Sequence, residues 1–388
     1  MNRGGIDGRK AVINSSVGRI PTTPLLEKLA DYETYLHTQN SLMNRIIGLS
    51  GLIINAVLLS ACLFLVPVSQ TSTGSPPSEA QVTGTSVPQI ASPIPSKIAP
   101  GPTLDGCPMF PEDNIWNVRV DTLPVHAHSD DYVDTIGRET GLHMDFGSGT
   151  WDGGPIGIPY NVVSSDQLET MVQFYYPEES DPGPYPIPEN PRIEWGSDHH
   201  ILIIEKDNCV LYEIYDASLS GSRWSAGSGA IWDLTSNALR PAGWTSADAA
   251  GLPMLPGLAR YDEVNAGEIR HALRFTTHIT NGYVWPARHL TSNEVDPAIP
   301  PMGQRFRLKA SFDTSPFPPE LQVILRAMQT YGIILADEGA DWYINGAPDE
   351  RWDNEMLHLL DFITGDDFEA VDVSGLMVDP NSGQAVLP

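Results

Sequence analysis

The stretch ILIIEKDNCVLYEIY, Ile201 to Tyr215, holds two apolar runs separated by a short polar one. Ile201 to Ile204 is apolar at every position, which a strand tolerates only when both its faces are covered. Val210 to Tyr215 follows the tight polar turn EKDN, so the segment reads as an antiparallel hairpin with a mostly buried first strand. Working outward, Ile269, His271, Leu273 and Phe275 fall on one face of a further strand, while Arg270, Ala272, Arg274 and Thr276 fall on the other. Tyr283 to His289 reads as its return strand across HITNG. Arg305 to Phe312 alternates most clearly, with Phe306, Leu308, Ala310 and Phe312 opposite Arg305, Arg307, Lys309 and Ser311, the pattern of a sheet with one solvated side. One helix stands out. Pro318 or Pro319 begins it, Leu321, Ile324, Leu325 and Met328 form its apolar stripe, and Gly332 closes it. IILA and WYI, on either side of DEGAD, are short strands, and a helical turn or two is expected over Asn354 to Phe362. With 34 Gly and 34 Pro punctuating the chain, short elements joined by turns are favoured. The expected fold is mainly β: an antiparallel β-sandwich of jelly-roll type with one or two packed helices.

That domain is expected to occupy residues 106–388. Residues 1–45 carry Arg3, Arg9, Lys10, Arg19, Lys28 and Arg45, and Ile46 to Val68 follows as a 23-residue run without a formal charge. A helix of that length spans a bilayer core. Basic residues precede the run and none follows before Lys97, which places the N-terminus in the cytoplasm and the rest outside as a single-pass membrane protein. Two alternatives stay open. A secretory signal begins at Met43, or Cys62 in Leu59-Ser60-Ala61-Cys62 is lipidated. Residues 69–105 are Ser/Thr/Pro-rich and nearly free of aromatic and charged side chains, so they are expected to form a disordered linker. In an oxidising compartment Cys107 and Cys209 are expected to pair, two buried thiols being the alternative.

The formal charge of -27 repels phosphate backbones, and nucleic acid is not an expected partner. There is no Gly-x-Ser-x-Gly, His-Glu-x-x-His, Cys-x-x-Cys, phosphate loop or dinucleotide fingerprint, and no cofactor is expected. VHAHSDD places His126, His128, Asp130 and Asp131 together. The order is similar to the His-x-His-x-Asp-His of metallo-β-lactamases, but Asp131 stands where the last His belongs, and a turn-associated polar cluster is the reading preferred to a metal site.

Acids and histidines on strands beside aromatics suit glycan chemistry, which needs a proton donor at the leaving oxygen and a carboxylate across the ring. Glu213, Glu263, His271 and Arg260 are the candidate catalytic residues. His200, Trp224, Trp232, Trp244 and Trp285 are the candidate substrate-binding residues, although each Trp serves equally well as core. Arg270, Arg274, Arg288, Arg305, Arg307 and Lys309 would form a basic row on adjacent strands, able to grip a uronate or to pair with acids across strands.

From about Cys107 to Gly375 the chain resembles a family of secreted bacterial proteins to which no activity is attached. GSDHHILIIEKDNCVLYEIYDA, AGLPMLPGLARYDEVNAGEIRHALRF, YVWPARH and LRAMQTYGIILAD carry the resemblance. It implies a secreted setting and points to His200, Glu213, Arg260, Glu263 and His271. The expected function is cleavage of extracellular polysaccharide, by hydrolysis with Glu213 and Glu263 as the acid pair or by elimination with His271 as base and Arg260 as carboxylate clamp. A non-catalytic module that binds glycan or cell-wall polymer is the alternative. Catalysis on these residues requires Glu213, Glu263 and His271 to converge in one cleft.

Overall fold

The computed structural model describes residues 26–30, 32, 34, 101–292 and 294–387. Residues 26–30, 32 and 34 are helical. The 46–68 run, with the alternatives at Met43 and Cys62, lies outside the described residues, and among those described no helix is long and apolar enough to cross a membrane. The linker expected to reach residue 105 gives way earlier: Thr103–Leu104 (β1) pairs antiparallel with Cys107–Pro108 (β2). Its backbone groups find ladder partners there, which composition alone does not reveal.

The chain next forms β3 (His143–Asp145) and a hairpin of β4 (Thr150–Trp151) and β5 (Gly154–Pro155). Asp152 and Gly153 between them both have positive φ, +50 and +102, as a two-residue Asp-Gly hairpin turn requires. After β6 (Tyr160–Val163) and β7 (Val172–Phe174) comes the hairpin of β8 (Ile201–Glu205) and β9 (Val210–Tyr215), with Ile201 opposite Ile214 and Leu202 opposite Glu213. Then follow β10 (Ser218–Ser220), β11 (Arg223–Ala226) and β12 (Ser228–Asp233). These strands make a four-stranded sheet, β12-β9-β8-β6, and a three-stranded one, β10-β11-β7. β8 is buried along its whole length. Ile201, Ile203 and Ile214 pack with Val172, Tyr185 and Ala226 on one side, and Leu202, Ile204 and Leu211 are buried on the other.

A six-stranded sheet is built from β13 (Leu273–Thr277), β14 (Arg305–Leu308), β15 (Ile333–Glu338), β16 (Tyr343–Asn345) and β17 (Phe368–Val371), with β3 at its edge, in the order β17-β14-β15-β13-β16-β3. The helix Pro319–Thr330 packs against β14. At the centre lies Trp342, its ring centroid 5.6 Å from Phe275, 5.7 Å from Phe306 and 5.3 Å from Phe368. The protein is mainly β. Pairing is mixed, however, where an antiparallel pattern was expected: β13 with β15, β16 with β3, β6 with β8 and β11 with β7 are parallel. Between β13 and β15 the chain inserts β14 and the helix, and such a crossover is what makes parallel neighbours possible.

Three local expectations are corrected. The strand expected from Ile269 begins only at Leu273, because Tyr261–Ala266 is a helix, with Asp262 and Glu263 in its first turn and Gly267 closing it at φ +89. Tyr283 to His289, interrupted by Pro286, enters no ladder and makes one bridge, Tyr283 to Met302. The supposed solvated side of β14 is covered. Arg305 donates to the carbonyls of Tyr331 and Ile115, Arg307 donates to Val120 O at 2.6 Å and Glu369 Oε1 at 2.8 Å, and Lys309 donates to Asp366 O. Arg288 likewise serves the carbonyls of Arg240 and Pro380. The basic row is therefore no substrate grip, because these cations satisfy backbone oxygens and acids that overlie the sheet.

Cys107 and Cys209 are joined in a disulfide, which fastens β2 to the turn between β8 and β9.

Candidate active site

Glu213 lies on β9 with no exposed surface. Its carboxylate accepts from the backbone N–H of Met254 (2.9 Å) and Leu255 (2.9 Å) and from Trp232 Nε1 (3.2 Å), while burial pushes its pKa up to about 7 against those donors. Arg260 serves the same turn, donating to Leu255 O at 2.9 Å. Glu213 is thus a bracket for the Met254–Leu255 turn and is closed off from any substrate.

The structure does bring Arg260, Glu263 and His271 together. Arg260 Nη2 donates to Glu263 Oε1 at 2.7 Å, and His271 Nε2 lies 3.1 Å from Glu263 Oε2 and 3.3 Å from Arg260 Nη2. His271 Nδ1 faces Ala272 O at 2.8 Å. Burial works against the Glu263 charge, but Arg260 and His271 overcome it and hold the carboxyl below its usual range. Arg260 and Glu263 border only a cleft of about 40 Å³, which neither Glu213 nor His271 lines. The triad has the geometry of a buried ion cluster closing the helix Tyr261–Ala266 onto β13, and it shares no cleft with Glu213.

The candidate tryptophans disperse. Trp224 packs on the Ile201–Ile214 cluster, and Trp232 is buried between Glu213 and Phe110. Trp244 stacks with the Arg240 guanidinium, 5.4 Å from its ring centroid, and Trp285 Nε1 donates to Ser382 O at 2.8 Å. None of the four lines the cavities of Asp337 or Asp145.

One candidate, His200, stands beside a cavity of about 460 Å³ whose wall includes Tyr176, Glu179, Asp198, Tyr215, His289 and Asp337, with Glu338 next to it. His200 Nδ1 is in close ion-pair contact with Glu194, and Nε2 meets Ala247 O at 3.0 Å. Burial disfavours the imidazolium, but Glu194 outweighs it and raises the His200 pKa to about 9.

A bulge decides which acids reach this cavity. Phe275 pairs with Leu335 and the next residue, Thr276, with Asp337, so Ala336 is extra in β15. Ala336 O accepts instead from Ala250 N at 2.9 Å. The extra residue turns Asp337 away from the face of Leu335 and onto that of Arg274 and Thr276.

The polar row that results crosses four neighbouring strands. Asn345 Nδ2 donates to Asp145 Oδ2 at 3.2 Å, Arg274 Nη1 donates to Asn345 Oδ1 at 2.5 Å, and Arg274 Nη2 stands 3.7 Å from Asp337 Oδ2. Asp248 clasps Arg274 at 3.0 and 2.8 Å. Burial opposes the Arg274 charge, and Asp248 more than offsets it, so the guanidinium stays charged. Arg274 is thereby committed to Asp248, and Asp337 gains only a longer contact. Burial, then the nearby Asp248, raise Asp337 to about 7, although its side chain keeps 26% of its surface open.

The four cavity acids differ in freedom. Glu338 accepts from Thr280 Oγ1 at 2.7 Å and Glu179 from Thr245 N at 3.3 Å, whereas Asp198 is exposed and held only by its neighbour Ser197. Among the residues lining the cavity there is no Lys or Arg. Glu194, Asp198 and His200 present ligand atoms within 4.8 Å of one another, a spacing a cation would fit, though His200 and Glu194 already neutralise each other. His126 and His128 instead group around Tyr132, with His128 Nδ1 2.9 Å from Asp131.

Sequence reasoning missed Asp198, Asp337 and Glu338. The signal was there in GSDHH and LADEGAD, where acids sit at a strand end beside glycine. No protein-family model, curated protein or solved structure matches this chain.

Proposed function

We propose that the chain is a glycan hydrolase held outside the cytoplasm, with its active site in the cavity of Asp337 and Asp198. The observation that carries this reading is a carboxyl with a pKa near 7 opening on a concave wall that also bears the exposed Asp198 carboxyl. Asp337, with about half of its molecules protonated at pH 7, gives its proton to the leaving glycosidic oxygen. Asp198 acts across the ring, as base toward water or as nucleophile, so that water adds to the anomeric carbon and the cut chain leaves as an alcohol. Tyr176 and Tyr215 offer ring faces and hydroxyls for the sugar. A wall rich in carboxyl groups and without Lys or Arg suits a neutral or amino-sugar polymer and repels uronates, which favours hydrolysis over elimination. The uncharged run at 46–68, the Ser/Thr/Pro-rich segment after it and the disulfide support the tethered, extracytoplasmic setting.

The test incubates the full chain with neutral and amino-sugar polysaccharides and follows new reducing ends. Asp337→Asn is expected to lower the rate by about 100-fold or more, and Asp198→Asn likewise. Turnover unchanged in both variants would remove the assignment. Binding without turnover in the parent protein would favour a non-catalytic glycan module.

A further inference from the structure

The polar row has two ends, and the second also opens on a cavity. Asp145, at the β3 end, stands in the wall of a space of about 630 Å³ together with His143, Trp151, Tyr343, Asn354 and Asp361. Its lining again holds no Lys or Arg. Trp151 is 77% exposed, an unusual placement for so large an apolar surface. It sits on the β4–β5 hairpin, which is pinned in position. Ser148 N donates to Asn354 Oδ1 at 2.9 Å and Asn354 Nδ2 returns a bond to Ser148 O at 3.1 Å. The Trp195 ring fills the space beside Gly154, where a Cβ would come within 2.1 Å of it. Facing the hairpin, the His143 and Tyr343 rings lie 4.2 Å apart. Burial raises the Asp145 pKa above its usual value, and its Oδ2 accepts from Asn345 Nδ2 at 3.2 Å.

We propose that this second cavity is a separate binding site for a neutral or amino-sugar ring, with Trp151 as the stacking face and Asp145 and Asp361 as hydrogen-bond partners for hydroxyl or ammonium groups. An exposed aromatic on an anchored hairpin, beside convergent polar groups in a space of this size, is the make-up of a small-ligand site. The proposal takes only the class of ligand from the hydrolase reading. The two cavities are distinct, joined through Asn345 and Arg274, so one polymer strand engaging both would gain effective concentration at the cleavage site.

The experiment uses the full chain carrying Asp337→Asn, titrated calorimetrically with gluco-oligosaccharides, glucosamine oligosaccharides and an oligouronate. Adding Trp151→Ala is expected to weaken binding of one of the first two sugars by at least tenfold, with melting temperature unchanged because the side chain is exposed. Asp145→Asn is expected to weaken the glucosamine arm more than the gluco arm. Unchanged affinity on removing Trp151, equal or tighter binding of the oligouronate, or no binding of any sugar would each overturn the proposal. Comparing reducing-end release by the parent and by Asp337→Asn tests the hydrolase reading separately, so the two can fail independently.

Discussion

Glu213 and Asp337 are both pushed by burial to a pKa of about 7, yet they face different surroundings and have different consequences. Glu213 faces two backbone N–H groups and an indole. Glu213→Ala is expected to cost about 2 to 4 kcal/mol in urea unfolding, since it leaves those donors without an acceptor, while Glu213→Gln costs less. A carboxyl whose folded pKa exceeds its unfolded one holds its proton more tightly in the native state. Its contribution is greatest below the unfolded value near 4.5 and is lost as pH rises through about 7, so Glu213→Gln should flatten the stability profile in that window. His200 has the opposite chemistry with the same sign: its pairing with Glu194 is fully present below its unfolded pKa of about 6.5 and fades as pH climbs through about 9. For Asp337 the readout is activity. The rate should fall as pH rises through about 7, because the acid form is the one that donates. A profile flat from pH 6 to 8 would separate Asp337 from the chemistry.

At the scale of elements, β8, β9 and the helix Pro319–Thr330 were legible because apolar runs and stripes report burial directly. The helix Tyr261–Ala266 was hidden by the alternation that follows it, although two acids and a closing glycine mark its ends. Gly267→Ala tests that end: nothing lies within 4 Å of the new Cβ, so the expected loss of about 1 kcal/mol in a melt is backbone conformation alone. Arg305, Arg307 and Arg274 misled for a different reason. Alternation reports which residues share a face, and it is silent on whether other chain segments lie over that face and offer carbonyls. Of the candidate site, His200, expected to bind substrate, lies beside the cavity of Asp337, while Glu213, Arg260 and His271 are held in the interior by their hydrogen bonds. Side chains that hold a turn together and side chains that attack a bond draw on the same residue types, and only burial separates them.

Across the molecule, the Cys107–Cys209 bond closes a loop with a sequence separation of 102. It joins the start of the folded region to the turn of the central hairpin. Reducing it, or replacing both cysteines by serine, should lower stability by about 2 to 4 kcal/mol, measured by urea unfolding with and without reductant. The overall charge of -27 and the two carboxylate-lined cavities share one electrostatic sign. Cationic polymers should therefore associate faster at low ionic strength, with the preference shrinking as salt is added.

Ala336 contributes no chemistry of its own, yet the bulge it makes in β15 decides which way the neighbouring acid points. In a regular ladder Ala336 would pair with Thr276, and Asp337 would fall on the Leu335 face, in the hydrophobic interior beside Phe275, with the amino-acid inventory unchanged. In this protein, strand register carries information about the cavity that residue identity cannot. A variant that keeps the aspartate and the residue before it but pairs them in regular register would be expected to keep the fold and turn the carboxyl out of the cavity.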